Sequence, residues 1–153
     1  MGVEVRLREV RDEDLEVLYE YQLEPESNAM AGVEPRDWDG FRAHRTRIAG
    51  NPEAIVRAIV MDGDGVVGDV MSWRNQQGVR EVGYRIGKAF WGRGIATAAL
   101  AAYLAEEPER PLYAHVVMHN LGSMKVLERC GFERLPEGAG PDPDPEAHEY
   151  VLR

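Results

Sequence analysis

Residues 79–118 hold the feature that most limits what this chain can fold into. A strand pattern, a glycine-rich turn, an apolar segment and a second strand pattern follow one another there. Residues 95–105 are almost wholly apolar, which is typical of a helix packed on most sides. Pro108 ends this segment, and residues 112–118 form the next apolar run. Strands joined through a helix lie parallel, since a tight turn joins only antiparallel strands. The sequence therefore predicts one βαβ unit.

The residues before this unit predict an antiparallel meander. Asp62-Gly63-Asp64-Gly65 is a strong hairpin sequence, because glycine adopts positive φ without steric cost. Residues 75–78 predict a second turn, and alternating apolar and charged residues at the start of the chain predict one more strand. The expected strands span residues 3–7, 55–61, 66–73 and 79–86.

Helix signals precede and follow the meander. Asp12 is expected to cap a first helix that Pro25 ends, and the spacing of apolar side chains predicts a second helix over residues 37–49. Asn120 is suited to the N-cap of a later helix, which Gly131 would end.

The C-terminal part of the chain predicts a closing hairpin. Residues 132–135 and 149–152 have strand character, and the Pro-, Gly- and acid-rich residues 136–147 between them predict an exposed loop. Neither an internal repeat nor a linker sequence occurs. We therefore expect one domain over residues 1–153, of mixed α/β class, with a mostly antiparallel central sheet and helices on both faces.

Charge and composition narrow the classes of partner. The formal net charge of -9 argues against nucleic-acid binding, which depends on clustered Lys and Arg, and mildly favours cationic partners such as amines. The single cysteine excludes an internal disulfide and a multi-cysteine zinc site. Neither an apolar signal-peptide core nor a run approaching the roughly 20 apolar residues of a membrane span occurs. A cytoplasmic protein is therefore expected.

The turn that opens the apolar helix has the composition of an anion-binding site. Gly92 and Gly94 would let the backbone approach a phosphate closely, and the first N–H groups of a helix are free to donate to it. Lys88 and Arg93 add positive charge. A turn without a ligand is the alternative, although clustered glycines with flanking cations are unusual for such a turn.

Two nucleotide-binding motifs are similar to this segment but do not match it. The frame of a P-loop runs from Gly87 to Gly92, but Arg93 stands in place of its lysine and Gly94 in place of its magnesium-binding hydroxyl. The dinucleotide fingerprint fails because Thr97 stands where its third glycine is required. A phosphate-bearing cofactor of another kind is favoured.

The segment Trp91-Gly92-Arg93-Gly94-Ile95-Ala96 resembles the pyrophosphate loop Q/R-x-x-G-x-G/A of the GNAT N-acetyltransferase superfamily and matches it from Gly94 onward. Trp91 departs from the first position. With the residues after it, this tryptophan resembles the branch containing the ribosomal-protein N-terminal (alanine) acetyltransferases and their small-molecule relatives. Asn120-Leu121-Gly122-Ser123 and the following residues 126–132 resemble that branch's N-x-x-S and V-L-E-K-x-G-F signature. The resemblance covers nearly the whole chain.

This resemblance implies a GNAT fold, acetyl-CoA as co-substrate, no metal, and the βαβ unit at the cofactor site. In that family the pantetheine arm lies between the strands that correspond to residues 81–86 and 112–118, and a backbone N–H near residues 84–86 polarises the thioester carbonyl. The residues expected at the cofactor are Tyr84, Arg85, Ile86, Lys88, Trp91, Gly92, Arg93, Gly94, Ile95, Ala96, Thr97, Asn120 and Ser123.

The implied reaction is direct transfer of acetyl to a primary amine, which requires a base and a group at the sulfur. Glu81 is the candidate base, because family members carry a glutamate early on this strand. Strand parity puts Arg85 on the same face, so an ordinary ion pair is the alternative. Ser123 is the candidate acid or, since a hydroxyl is a poor acid, the group that positions the sulfur. In its alternative role, Ser123 only forms a hydrogen bond with free backbone groups in the first turn of its helix. N-capping of the same helix would by itself explain Asn120.

Several other side chains stay outside this hypothesis. His115 and His119 share strand parity, but no third metal ligand is evident. Cys130 is most simply a buried small hydrophobe. Trp38 and Phe41 would line an acceptor pocket or belong to the core, and the core is favoured for Phe41.

The acceptor itself is not specified by the sequence. We expect an amine-bearing acceptor, either a protein N-terminus or a small molecule, and a cationic one would be attracted by the acidic surface. A longer acyl-CoA as donor and a non-catalytic acyl-CoA sensor are the alternatives. Nucleic acid and membrane partners are not expected, and the chain would act as a monomer or a homodimer.

Overall fold

One seven-stranded sheet forms the centre of the computed structural model, which describes residues 3–153. Its strand order is β1-β2-β3-β4-β5-β7-β6. Among the strands of the described residues, only β4 and β5 pair in parallel, and the other neighbours are antiparallel. The strands are β1 (Arg6–Arg8), β2 (Ile55–Met61), β3 (Gly65–Arg74), β4 (Arg80–Ile86), β5 (Leu112–Val117), β6 (Glu133–Arg134) and β7 (Ala147–Leu152). The predicted mixed, mostly antiparallel sheet is confirmed.

Helices cover both faces of this sheet. They are α1 (Leu15–Tyr21), α2 (Pro25–Ala31), α3 (Trp38–Ala49), α4 (Ile95–Leu104) and α5 (Leu121–Arg129). Val82 and Ile86 of β4 are buried with apolar residues of α4 and α5. Arg85 instead borders a cavity lined from α1 and α3, and alternate strand residues point to opposite faces. The βαβ unit is therefore β4-α4-β5. Among residues 3–153, no helix is long and apolar enough to span a bilayer.

Two expectations near the N-terminus are wrong. Asp12 does not cap a helix: it lies in a 3-10 turn, where the Asp14 carboxylate accepts from the Arg11 backbone N–H at 2.8 Å. Pro25 does not end α1, which stops at Tyr21, but opens α2. Proline suits that first helical position because the N–H it lacks would have no partner there.

The later elements agree with the sequence pattern to within a few residues. Asp37 caps α3 by accepting from the Gly40 backbone N–H at 2.8 Å, and the predicted closing hairpin is the antiparallel pair β6 and β7. The first strand lies slightly later than residues 3–7.

An ionic network with no clear sequence signal is buried at the start of β4. The side chains of Arg80 and Glu107 are 4% and 2% exposed, with Nε and Oε1 2.5 Å apart. Arg80 also donates to Ser72 Oγ at 2.9 Å, and that hydroxyl lies 2.5 Å from the Tyr103 hydroxyl. Buried charges require such partners, and these fix β3, β4 and α4 to one another beside Glu81.

Gly68 tests how tightly β3 packs against β4. A methyl group at this position would collide with the Arg85 carbonyl oxygen. Gly68→Ala should therefore lower the free energy of unfolding by about 1–3 kcal/mol, measured by urea denaturation.

Gly122→Ala is the matched control, because its added methyl group meets nothing closer than 3.9 Å. In a helix it should be neutral or stabilise by about 0.5–1 kcal/mol. Wild-type stability in Gly68→Ala would contradict the close approach of the two strands.

Candidate active site

Strands β4 and β5 are paired only near their beginnings. Their single registered pair is Glu81 with Tyr113, although β4 continues to Ile86 and β5 to Val117. On its other edge, β4 stays paired with β3 as far as Ile86. The two parallel strands therefore separate toward their C-terminal ends, and the backbone groups on their facing edges are not used by the sheet there.

The glycine turn lies at the open end of this gap, between β4 and α4. Gly92 and Gly94 have φ angles of 76° and 78°, a region that favours glycine. Gly94 is the N-cap of α4, and no side chain caps this ten-residue helix. A side chain at Gly92 would meet nothing within 4 Å. The turn therefore borders open space at Gly92, shortly before the free first N–H groups of α4, and this arrangement is suited to bind phosphate.

Acids contact both of the cations expected at this turn. Lys88 Nζ lies 2.9 Å from Glu26 and 3.6 Å from Glu24 of the α2 region. Arg93 Nη2 lies 4.0 Å from Asp64. Both basic side chains are 48% exposed, and exposed ion pairs are weak, so a phosphate group can compete for these cations.

Other residues of the turn hold its shape. The Trp91 indole N–H donates to the Ile86 carbonyl at 2.9 Å. Ile95 is 1% exposed within the core, and Ala96 packs against that core. Because the Ile95 side chain is buried, it can contribute only its backbone to a ligand at this position.

The second sequence block forms α5 and its cap. The Asn120 side chain accepts from the Ser123 backbone N–H at 3.1 Å and donates to the Met30 carbonyl at 3.1 Å, so the predicted cap is confirmed. Cys130 is half-buried rather than buried, with Sγ 3.7 Å from the Thr97 carbonyl oxygen.

A tyrosine from β4 contacts the predicted serine of α5. The hydroxyls of Tyr84 and Ser123 lie 2.6 Å apart. Burial raises the pKa of Tyr84 to about 12, so this hydroxyl keeps its proton at neutral pH. The sequence predicted Tyr84 at the cofactor but did not predict that its side chain contacts Ser123. Tyr84 alternates along β4 with the core residues Val82 and Ile86, and this spacing could have predicted that its side chain points to the same face of the sheet.

Glu81 is held by a histidine of β5. Glu81 Oε1 lies 2.5 Å from His115 Nδ1, and Asn75 donates to Oε2 at 3.2 Å. His115 Nε2 lies 2.7 Å from the Asp142 carbonyl oxygen. The hydrogen bond with Glu81 is the main cause that raises the pKa of His115 to about 9. The imidazole is therefore protonated at neutral pH and donates through both nitrogens.

The alternative ion pair between Glu81 and Arg85 is wrong. Arg85 Nη1 donates instead to Ser27 Oγ at 2.8 Å and to Asn28 Oδ1 at 3.2 Å. Both partners lie on α2, which the sequence interpretation did not place over this face. Strand parity identified the shared face correctly, but the partners come from other elements.

Glu81, His115 and Asp142 each offer a possible metal-ligand atom, and these atoms lie within 4.8 Å of one another. Both imidazole nitrogens, however, already contact oxygen atoms at hydrogen-bond distance. A hydrogen-bonded array explains this cluster. His119 does not join it, because its Nε2 lies 2.8 Å from the Ala29 carbonyl oxygen.

Solved structures share this fold over nearly their whole length. An acetyltransferase from Agrobacterium tumefaciens str. C58 has 21% identity and a TM-score of 0.81, covering 97% of this chain and 90% of that chain. An acetyltransferase from Thermus thermophilus has 22% identity and a TM-score of 0.78, covering 99% of both chains. Spermidine N-acetyltransferase from Vibrio cholerae, in complex with CoA and spermine, has 16% identity and a TM-score of 0.80, covering 96% of this chain and 93% of that chain.

A search of the curated proteins found no match. The family model described as the acetyltransferase (GNAT) domain, however, matches residues 4–133. This match covers most of the chain, and the sheet with its separated parallel pair has the fold of the solved acetyltransferases. The chain therefore belongs to the GNAT family of acetyltransferases and is an acyltransferase.

Proposed function

We propose that this enzyme moves the acetyl group of acetyl-CoA to a primary amine by direct attack, with no covalent enzyme intermediate. The observation that carries the proposal is the separation of β4 from β5 beside the uncapped start of α4. One cleft thus offers unused strand edges to an extended pantetheine arm and free helix N–H groups to a pyrophosphate. The CoA complex of the similar spermidine N-acetyltransferase supports this donor.

The residues of the cleft fit such a co-substrate. Acetyl-CoA supplies an activated thioester, and backbone N–H groups of residues 84–86 are suited to polarise its carbonyl oxygen. The N–H groups at the start of α4 would hold the pyrophosphate, since the open space at Gly92 admits it. Lys88 and Arg93 would give up their ion pairs with Glu26 and Asp64 and contact phosphate oxygens instead.

Glu81 is proposed to remove the proton of the amine, directly or through a water molecule. An alkyl amine with a pKa of about 10 is mostly protonated at neutral pH and cannot attack until it loses a proton. Glu81 occupies the last paired position before the gap and shares a face with Gly83 and Arg85, which line the cavity. His115 acts as a positioning residue, since its protonated ring holds one carboxylate oxygen.

Tyr84 and Ser123 are proposed to donate hydrogen bonds to the sulfur rather than to give up a proton. A thiol has a pKa of about 8.5, more than 3 units below the value of about 12 for Tyr84. Full proton transfer from that hydroxyl to the thiolate would therefore be uphill by about 5 kcal/mol. Hydrogen bonding and positioning cost far less and suffice for a good leaving group.

We also propose that the chain is one cytoplasmic domain and that its acceptor is a protein N-terminus or a small molecule. The branch with the ribosomal-protein N-terminal acetyltransferases is supported by the tryptophan and serine blocks of the sequence. The named substrate of the spermidine N-acetyltransferase supports an amine acceptor in general.

Replacing the proposed base tests this reaction. Glu81→Gln should lower kcat by about 10²–10⁴-fold while the affinity for acetyl-CoA stays unchanged, because only proton removal is lost. The readout is thiol release from acetyl-CoA with a panel of primary amines. Glu137→Gln, an exposed residue of the acidic loop, should keep wild-type turnover. Wild-type kcat in Glu81→Gln would contradict the base role, and wild-type enzyme that binds acetyl-CoA but acetylates no amine would favour a sensor.

The titration of His115 tests how Glu81 is held. By NMR, His115 should titrate near pH 9, and the Glu81→Gln substitution should lower this pKa toward the ordinary value of about 6.5. Because the folded pKa is raised, the stabilisation is fully present below about pH 6.5 and is lost as the pH rises through 9. His115→Gln should not show this loss in urea denaturation. A wild-type midpoint near 6.5 would contradict the pairing.

A further inference from the structure

A cavity of about 310 Å³ lies between the sheet and helices α1 and α3, on the same face of β4 as Glu81. Its lining contains more arginines than acids, although the whole chain has a formal charge of -9. The arginines, the histidine and the acids of the lining are Arg36, Arg45, Arg85, His44, Glu34 and Asp69. This cavity therefore differs in charge from the rest of the protein.

Two of the three arginines have no acidic partner. Arg85 donates only to the neutral side chains of Ser27 and Asn28, and burial lowers its pKa. Within residues 3–153, no carboxylate oxygen lies within 4.0 Å of the guanidinium of Arg85 or Arg36. Such charges in a concave site are free to bind an anion.

The third arginine is only partly satisfied. Arg45 Nη2 lies 2.6 Å from Asp69 Oδ2, and the two side chains are 14% and 6% exposed. The contact lacks hydrogen-bond geometry, and Arg45 Nε and Nη1 are also buried without a partner. Buried donors without acceptors are costly, more so on a charged group.

His44 lies in the same cavity, where burial and neighbouring arginines affect its pKa. Burial lowers its pKa, and the neighbouring charges of Arg36 and Arg45 lower it further, while Asp69 alone raises it. The positive charge of the cavity lining therefore comes mainly from its arginines.

The cavity lies beside the proposed base. Glu81, Gly83 and Arg85 alternate along one face of β4, so the first and last are separated by about 13 Å of strand with Gly83 between them. The Trp73 indole packs over Gly83 between these two ends, 3.2 Å from the position of an added Cβ. A molecule that reaches from Glu81 to the arginines must therefore hold its two ends several bonds apart, with the indole beside its middle.

We propose that the acceptor is a primary amine that also bears a carboxylate several bonds away, as an ω-amino acid does. Arg85, Arg45 and Arg36 would bind the carboxylate, and the amine would face Glu81. This inference rests on the proposed function and narrows its acceptor. A polyamine would bring cations against the arginines and should be a poor substrate.

Matched acceptors test the inference. Each set contains an ω-amino acid, its primary amide and the amine left by removing the carboxylate, such as 6-aminohexanoate, 6-aminohexanamide and pentylamine, and spermidine is added as a polyamine. The kcat/KM for thiol release should be about 10–100-fold higher for the amino acid than for either partner in the preferred set, the difference expected of hydrogen bonds to a charged group. Arg85→Gln should remove that preference by lowering kcat/KM for the amino acid to about the value for its amide.

Arg134→Gln, an exposed residue far along the chain, is the charge-matched control and should keep the preference. If Arg85→Gln fails to fold, the exposed Arg36→Gln should reduce the preference in the same assay. Equal or faster acetylation of the amides, the decarboxylated amines or spermidine would overturn the inference and leave the proposed function standing. Absence of thiol release with every acceptor would overturn both.

Discussion

The arrangement of this enzyme depends on one interruption of backbone pairing: β4 and β5 are registered at Glu81 and Tyr113 and separate beyond that point. Each of the two strands is held along its other edge, β4 by β3 and β5 by β7 at six positions. The gap joins the two faces of the sheet. Glu81 and His115 lie on one face, and Tyr84 and Ser123 lie on the other. Groups suited to an amine and groups suited to a thiol are thus separated by the sheet and connected only through the gap.

Charge is distributed unevenly around this framework. The surface is acidic, with a formal net charge of -9, whereas the cavity beside Glu81 is lined by three arginines, of which only Arg45 contacts an acid among the described residues. Under the proposed function, a negative surface would attract molecules that carry an amine, and the cavity would favour those that also carry a carboxylate. The buried pair of Arg80 and Glu107 is different in kind, since each charge has a close partner and serves to fix the strands.

The sequence predicted the sheet well because its signals are local. Alternation and turn residues marked β2, β3 and β4, and an apolar run after a glycine turn marked the βαβ unit. Helix α2 was missed because seven residues are too short to show an apolar period. The partner of Glu81 was also missed, since parity along one strand reveals which side chains share a face but not which residue of a parallel neighbour lies opposite. Two further features depend on packing between elements that are distant in the chain. One is the contact of Tyr84 with Ser123, and the other is the cavity that brings together arginines from α3, from β4 and from the segment before α3.

Calorimetric titration of acetyl-CoA against Gly94→Glu tests the central claim most directly, namely that the glycine turn and the gap behind it form the co-substrate site. Gly138→Glu is the matched control, because Gly138 has nearly the same φ, 75° against 78°, and lies in the exposed loop with nothing within 4 Å. We expect wild type and Gly138→Glu to bind acetyl-CoA alike and Gly94→Glu to lose binding, since its carboxylate would enter the phosphate cradle. Undiminished binding by Gly94→Glu would contradict this account of the site.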